Sequence, residues 1–238
     1  MPKTYLIALD DSGQKGIRLP TNCSFGVGGI ALPLIRLSEL RNTWARVMDL
    51  SPGQEVKVPG FVDRFGDLTP HRSPHVNARA VMSVVLRSFG ALPVFSHVKK
   101  ANAGQSLTVT TRRGGRAVDS GQLYYSLMLQ LTAFLMKRKS IRLRVVSDRL
   151  SSTLEEDEFQ ANWTSTLENL SSLGMRSVTN RIGPLTFGDS KLHPEIQVAG
   201  VLMGLLFQSS EAREGLSTGM SELLTEAASS GLSSFHIE

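Results

Sequence analysis

Two aspartates that directly follow apolar segments are the first candidates for chemistry. Asp10 comes after the apolar run 5–9, and Asp148 comes after the run 141–147. In α/β proteins ligands bind at the carboxyl ends of the strands, so we expect these two side chains to meet at one edge of a sheet. Neighbouring carboxylates repel unless a cation compensates them, and a cluster of oxygen ligands favours Mg²⁺ or Mn²⁺. Two such ions support phosphodiester cleavage. Taken singly, each aspartate has the alternative of a turn or helix-capping residue.

Redox and zinc-finger chemistry is excluded by the cysteine content, and several common motifs are absent from the sequence. Cys23 is the single cysteine, which permits no internal disulfide and no thiolate zinc site. Gly26 and Gly28 match a loose dinucleotide-binding fingerprint, but they lie inside an apolar run that Pro33 follows, so close strand packing is the better interpretation. No phosphate-binding loop, nucleophile elbow or zinc-protease helix occurs in the sequence.

Positive charge is concentrated in the middle of the chain. The net charge is +5 and the isoelectric point about 9.6. Basic residues dominate the segment 99–149, whereas acidic residues dominate from 150 onward. A basic patch of this kind favours a polyanion such as nucleic acid, with a solvated surface as the alternative. The candidate nucleic-acid contacts in its first part are Lys99, Lys100, Arg112, Arg113 and Arg116.

The hydrophobic pattern predicts alternating strands and helices. Strands are expected at 5–9, 25–32, 54–58, 93–98, 141–147 and 175–182, and helices at 34–50, 74–89, 122–138, 153–170, 196–207 and 216–228. Segment 101–115 is glycine-rich and is expected to form a loop or flexible hairpin. The order predicts an α/β protein with a mixed central sheet and helices on both sides.

Length and composition fit a globular chain. With 238 residues, 41% of them hydrophobic, the sequence is expected to form one domain over 1–238, with a weaker helical extension at about 212–238. It contains no apolar run of membrane-spanning length and no signal-peptide pattern, so we expect a cytoplasmic protein without membrane contact.

Five short blocks of the sequence, in order, resemble one family. They are YLIALDDSG at 5–13, FGVGGIA at 25–31, EVK at 55–57, VVSD at 145–148 and SKLHPEIQVA at 190–199. The blocks extend over nearly the whole chain and resemble the domain of unknown function 3800 family of bacterial and phage proteins. The resemblance implies a ribonuclease H-like fold, in which carboxylates around a mixed sheet bind two metal ions and cut nucleic acid.

The resemblance also implies a set of site residues. Asp10 matches the family's first metal ligand, Glu55 the acid of its Glu-x-Lys block, and Asp148 the acid after its fourth core strand. Asp11 replaces the glutamate of the family's opening Asp-Glu-Ser-Gly. The family's closing Gln-Leu-Ala-Asp is here Gln197-Val-Ala-Gly200, so the last expected carboxylate is absent.

Substitutes for the missing acid lie nearby in the sequence. His193, two helical turns before Gly200, is the best replacement ligand, and its alternative is a capping or surface histidine. Gln197 shares that helix face, whereas Glu195 is expected to point away from it. Asp189 is a further candidate, although a turn residue is the simpler interpretation. Lys57 either contacts a phosphate or pairs with Glu55.

These observations predict a nuclease-like protein that uses Mg²⁺ or Mn²⁺ and acts on RNA or DNA. Phage defence is one process in which such a protein is expected to act. Asp10, Glu55, Asp148 and His193 are the predicted catalytic residues, the first three of them as metal ligands. The alternative is a lapsed enzyme that binds nucleic acid or assembles with a partner protein, which Gly200 favours.

Overall fold

A five-stranded mixed sheet forms the centre of the protein. The computed structural model describes residues 3–12, 24–99, 109–110, 116–117, 120–150, 153–207 and 216–233. The strands, numbered in chain order, are β1 (Lys3–Ser12), β2 (Ser24–Pro33), β3 (Leu92–Lys99), β4 (Val109–Thr110), β5 (Arg116–Ala117), β6 (Ile141–Asp148) and β7 (Ile182–Gly188). Strands β4 and β5 pair only with each other.

The order of the central sheet is β3-β2-β1-β6-β7. Strand β2 is antiparallel to both β1 and β3, whereas β1, β6 and β7 are parallel to one another. This topology, with helices on both faces, confirms the predicted α/β class with a mixed central sheet. The three parallel strands have their carboxyl ends at one edge of the sheet, where the residues that follow the strands can form a site.

Eight α-helices flank the sheet within the described residues. They are α1 (Leu37–Met48), α2 (Val58–Phe65), α3 (Pro74–Ser88), α4 (Ser120–Lys137), α5 (Thr153–Leu170), α6 (Arg176–Thr179), α7 (Pro194–Phe207) and α8 (Thr218–Ser229). Helix α3 begins as predicted, because the Ser73 hydroxyl accepts a hydrogen bond from the Val76 N–H and Pro74 occupies the first helical position. In the described part of the chain, no helix has the length and apolar character that crossing a membrane requires.

Strand alternation distributes the apolar side chains between two cores. Ile7 and Leu9 of β1 belong to the core beneath α4 and α5, whereas Ala8 between them belongs to the core beneath α7 and α1. Because successive side chains of a strand point to opposite faces, Asp10 lies on the α7 face. The same alternation in β6 places Asp148 on that face.

Two predicted strands are wrong. Segment 54–58 is not a strand, because the Gln197 side chain, rather than a neighbouring strand, binds backbone groups of Gln54 and Val56. Val58, with Pro59 behind it, instead begins α2, a helix that the pattern did not predict. Segment 175–182 contains the short helix α6 and only the first residue of β7, since Met175 and Val178, three residues apart, pack onto the α4 and α5 core as on a helix.

Candidate functional site

Asp10 and Asp148 lie side by side at the carboxyl edge of the sheet. Leu9 pairs with Ser147 in the parallel ladder between β1 and β6, and the two aspartates follow directly. Adjacent strands are about 4.8 Å apart, so the two carboxylates start from neighbouring backbone positions on one face. The Asp10 Oδ1 atom accepts a hydrogen bond of 2.7 Å from the Asp11 N–H. Asp148 Oδ1 accepts bonds from the N–H groups of Arg149 at 2.9 Å and Ser190 at 3.1 Å.

Glu55 is connected to this pair through Ser190. The Ser190 hydroxyl donates a hydrogen bond of 2.9 Å to Glu55 Oε1, while the Ser190 N–H binds Asp148. The same Glu55 oxygen forms an ion pair with the ammonium of Lys57. The sequence analysis left two roles open for Lys57, an ion pair with Glu55 or a contact with a phosphate. The structure contains the ion pair, and the contact with a phosphate stays a prediction.

Gln197 fixes the segment that carries Glu55. Its Oε1 atom accepts hydrogen bonds from the Trp44 indole N–H at 3.1 Å and the Val56 N–H at 3.2 Å. Its Nε2 atom donates to the carbonyls of Gln54 at 3.0 Å and Ser190 at 2.8 Å. Gln197 is 2% exposed, so its amide is fully bonded within the protein. Through these contacts Gln197 holds the residues before and after Glu55, and the loop that contains Ser190, against α7.

The cluster formed by Asp10, Asp148 and Glu55 contains more negative than positive charge. Burial, together with the charges of Asp11 and Asp148, raises the pKa of Asp10 to about 7, against smaller opposing effects of the Asp11 N–H hydrogen bond and Lys57. Burial also raises the pKa of Asp148, with Glu55 adding to the effect. Burial opposes the charge of Lys57, but its hydrogen bond to Glu55 and the nearby carboxylates outweigh this and raise its pKa. A raised carboxylate pKa is expected where negative charges share a site without enough positive charge.

Gly200 is in contact with Asp10. A Cβ atom built on Gly200 would lie 2.2 Å from Asp10 Oδ2, so a side chain at this position would have to displace that carboxylate. The position at which the sequence resemblance implies a further acid therefore lies directly beside the first predicted ligand. In this chain the space is occupied by Asp10 itself.

His193 lies two strands away from Asp10, beside a buried ion pair. A Cβ on Gly188, the β7 residue paired with Asp148, would lie 3.2 Å from His193 Nε2. On the other side of the ring, Nδ1 lies 3.1 Å from Glu195 Oε1 and 3.2 Å from Arg41 Nη2. The ring is thus held from its Nδ1 side, with Nε2 over the end of β7.

Glu195 and Arg41 are the parts of this arrangement that sequence reasoning missed. Glu195, expected only to point away from Gly200, is 1% exposed and receives two hydrogen bonds from Arg41. Burial favours the neutral acid, but the hydrogen bonds from Arg41, the backbone and His193, together with the Arg41 charge, outweigh burial and lower the pKa of Glu195. The two residues are 154 positions apart, so no sequence pattern joins them.

The remaining candidates divide into turn residues and residues that are not described. Asp189 Oδ1 accepts a hydrogen bond from the Lys191 N–H at 2.9 Å, as the turn interpretation predicts. Asp11 contributes its charge to Asp10 and its N–H to the Asp10 carboxylate. Lys100, Arg112 and Arg113 lie outside the described residues, and Lys99 and Arg116 are described only through their backbones in β3 and β5.

A surface depression of about 430 Å³ lies at the Glu55 side of the cluster. It is lined by Glu55, Lys57 and Arg64, among others, and not by Asp10 or Asp148. Within the described ranges, no group of three or more His, Cys, Asp or Glu residues has its atoms arranged to hold a metal ion.

Comparison with known proteins finds similarity to solved structures. No protein-family profile and no curated protein matches the sequence. The fold is similar to a chain in the solved complex of PCNA and ribonuclease HII from Archaeoglobus fulgidus, with a TM-score of 0.42 and 12% sequence identity over 97% of this chain and 91% of that chain.

Proposed function

We propose that Asp10 and Asp148 bind a divalent cation, Mn²⁺ or Mg²⁺, and that the protein cleaves phosphodiester bonds in nucleic acid. The observation that carries the proposal is the pair itself, two partly buried carboxylates at matching positions of neighbouring parallel strands, with raised pKa values. Membership of the domain of unknown function 3800 family is part of the proposal and is supported by the five sequence blocks.

The donor set fits a hard cation. Mg²⁺ is commonly bound by one or two carboxylates together with waters and substrate phosphates, so two aspartates suffice without a complete protein cage. Asp148 also has an oxygen, Oδ2, for which the described residues supply no hydrogen bond. A bound cation would polarise a phosphoryl oxygen and lower the pKa of a bound water. Glu55 would join as a third ligand or hold Lys57 near the substrate phosphate.

His193 would move a proton in this reaction. Its Nδ1 side is held by Glu195 and Arg41, which orients the ring and leaves Nε2 over the end of β7, beside Asp148. A histidine with one nitrogen fixed by a carboxylate is suited to give or take a proton at the other nitrogen. Completion of the ligand set by His193 remains the other role for this residue.

A lapsed enzyme that binds nucleic acid or a partner protein is the second candidate. Two features favour it: Gly200 replaces the expected fourth acid, and the Lys57 ammonium already balances part of the negative charge. This candidate predicts nucleic-acid binding that needs no divalent cation.

Metal binding tests the proposal directly. Isothermal titration calorimetry with Mn²⁺ is expected to detect binding to the wild-type protein and to lose it in Asp148→Asn. The matched control is Asp67→Asn, which removes one negative charge from an exposed position on a 3₁₀ turn. Equal Mn²⁺ affinity in both variants would contradict a site at Asp148.

Cleavage distinguishes the two candidates. The enzyme is expected to cut labelled RNA or DNA with Mn²⁺ better than with Mg²⁺, and His193→Ala is expected to abolish cutting while stability changes by only about 1 kcal/mol. If the wild type cuts nothing with either ion while it still binds nucleic acid in EDTA, the natural protein is a lapsed enzyme. Strong Mg²⁺-dependent cleavage that His193→Ala leaves unchanged would contradict the role of His193.

A further inference from the structure

On the sheet face that α7 packs against, the amino-terminal part of strand β6 is not covered by a helix. This strand is parallel to both of its neighbours, and parallel strands are normally covered on both faces. Its side chains instead alternate between buried Ile141, Leu143 and Val145 on one face and exposed Arg142 and Arg144 on the other. A central strand with one exposed face is therefore a departure that needs an explanation.

The position of helix α7 determines which part of this sheet face is covered. It packs over Asp10 through Gly200, over β2 through Ala199, and over β3 through Phe207, whose ring lies 5.3 Å from that of Phe95. On β6 the core beneath α7 reaches only Val146. Beyond Val146, towards the amino ends of β6 and β7, the sheet face is open.

Four exposed side chains define this open surface, which we name the arginine face: Arg142 and Arg144 of β6, and Pro184 and Thr186 of β7. Thr186 pairs with Val146, which confirms that β7 presents this face beside β6. Neither arginine forms an ion pair or hydrogen bond with the described residues, and none of the four residues is acidic. The surface is therefore positive without an internal counter-charge.

The arginine face leads along β6 to the carboxylate cluster. At about 3.3 Å per residue, Arg142 and Arg144 are about 7 Å apart along the strand, and Arg144 is about 13 Å from Asp148. All three residues occupy the same face, since they are separated by even numbers of positions. A polyanion lying along the open part of β6 would contact both guanidinium groups and reach Val146, where α7 begins to cover the face, two residues before Asp148.

We infer that the arginine face binds the phosphate backbone of nucleic acid and guides it towards Asp148, an inference that rests on the proposed function. Guanidinium groups bind phosphates in bidentate fashion. The face lacks the large apolar side chains at the centre of protein interfaces, so a protein partner fits it less well. Contacts to phosphates carry no sequence information, so binding through this face is expected to be independent of sequence.

Fluorescence anisotropy with a labelled single-stranded oligonucleotide of mixed sequence, as RNA and as DNA, tests the inference in EDTA. The double variant Arg142→Gln/Arg144→Gln is expected to bind about tenfold more weakly, with a salt slope lower by about 1.4. The control Arg46→Gln/Arg176→Gln removes the same charge from exposed positions on α1 and α6 and is expected to keep wild-type affinity.

Three results would overturn the inference: equal loss in the two double variants, no binding by the wild type in EDTA, or equally tight binding of poly-glutamate. Calorimetry with Mn²⁺ on the same double variant separates this inference from the proposed function. If Mn²⁺ binding and cleavage persist while the two arginine substitutions leave the oligonucleotide affinity unchanged, only the inference is contradicted. Oligonucleotide binding through the face without any Mn²⁺ binding would remove only the proposed metal site.

Discussion

Asp10 should make the metal-free protein less stable as the pH rises. Its pKa is about 7 in the folded protein, against 3.8 for the ordinary carboxyl group. A group whose pKa is raised by folding favours the folded state below its unfolded pKa, and this contribution is lost as the pH rises towards the folded value. At about 1.36 kcal/mol per pKa unit, the loss between pH 4 and pH 8 is about 4 kcal/mol.

Replacing Asp10 with Asn removes this dependence. In urea unfolding with EDTA, Asp10→Asn is expected to match the wild type near pH 4 and to exceed it by about 4 kcal/mol at pH 8. Asp67→Asn, which changes the net charge equally at an exposed site, is expected to leave the wild-type pH profile unchanged in shape. Mn²⁺ at pH 8 should stabilise the wild type and not Asp10→Asn.

The reasoning would be refuted by parallel stability curves. If the difference between wild type and Asp10→Asn stays constant within about 1 kcal/mol from pH 4 to pH 8, the Asp10 carboxylate is not destabilised by burial and like charges. The placement of Asp10 beside Asp148 and Gly200 would then give no electrostatic reason for a cation at this edge.

Three further predictions concern the residues around the cluster. Gln197→Ala should lower the free energy of unfolding by about 3 kcal/mol in urea titrations, since it leaves buried hydrogen-bonding groups unpaired, whereas the control Gln54→Ala should cost less than about 1 kcal/mol. Lys57→Met should raise Mn²⁺ affinity in calorimetry by about tenfold at low salt, because it removes a positive charge, and unchanged affinity would place Lys57 outside the cation's field. Glu195→Gln should change the ¹⁵N and ¹H signals of the His193 ring in NMR spectra, whereas unchanged signals would mean that Glu195 does not hold the ring.

Local pattern was sufficient for most of the fold. The apolar runs before Asp10 and Asp148 form the parallel strands β1 and β6, and Ser73 with Pro74 starts α3 as its capping chemistry predicts. These predictions succeed because burial of one face and satisfaction of backbone ends depend on residues close in sequence. The strand predicted at 54–58 failed because a distant side chain, Gln197, binds its backbone.

That acids follow strands at one sheet edge could be predicted from the sequence, since strand direction and side-chain alternation are local properties. The surroundings of those acids could not be predicted in this way. The contact of Gly200 with Asp10, the burial of Glu195 against Arg41, and the open face at Arg142 all depend on how α7 crosses the sheet. That crossing results from packing between residues far apart in the chain, and such packing leaves no periodic signal in the sequence.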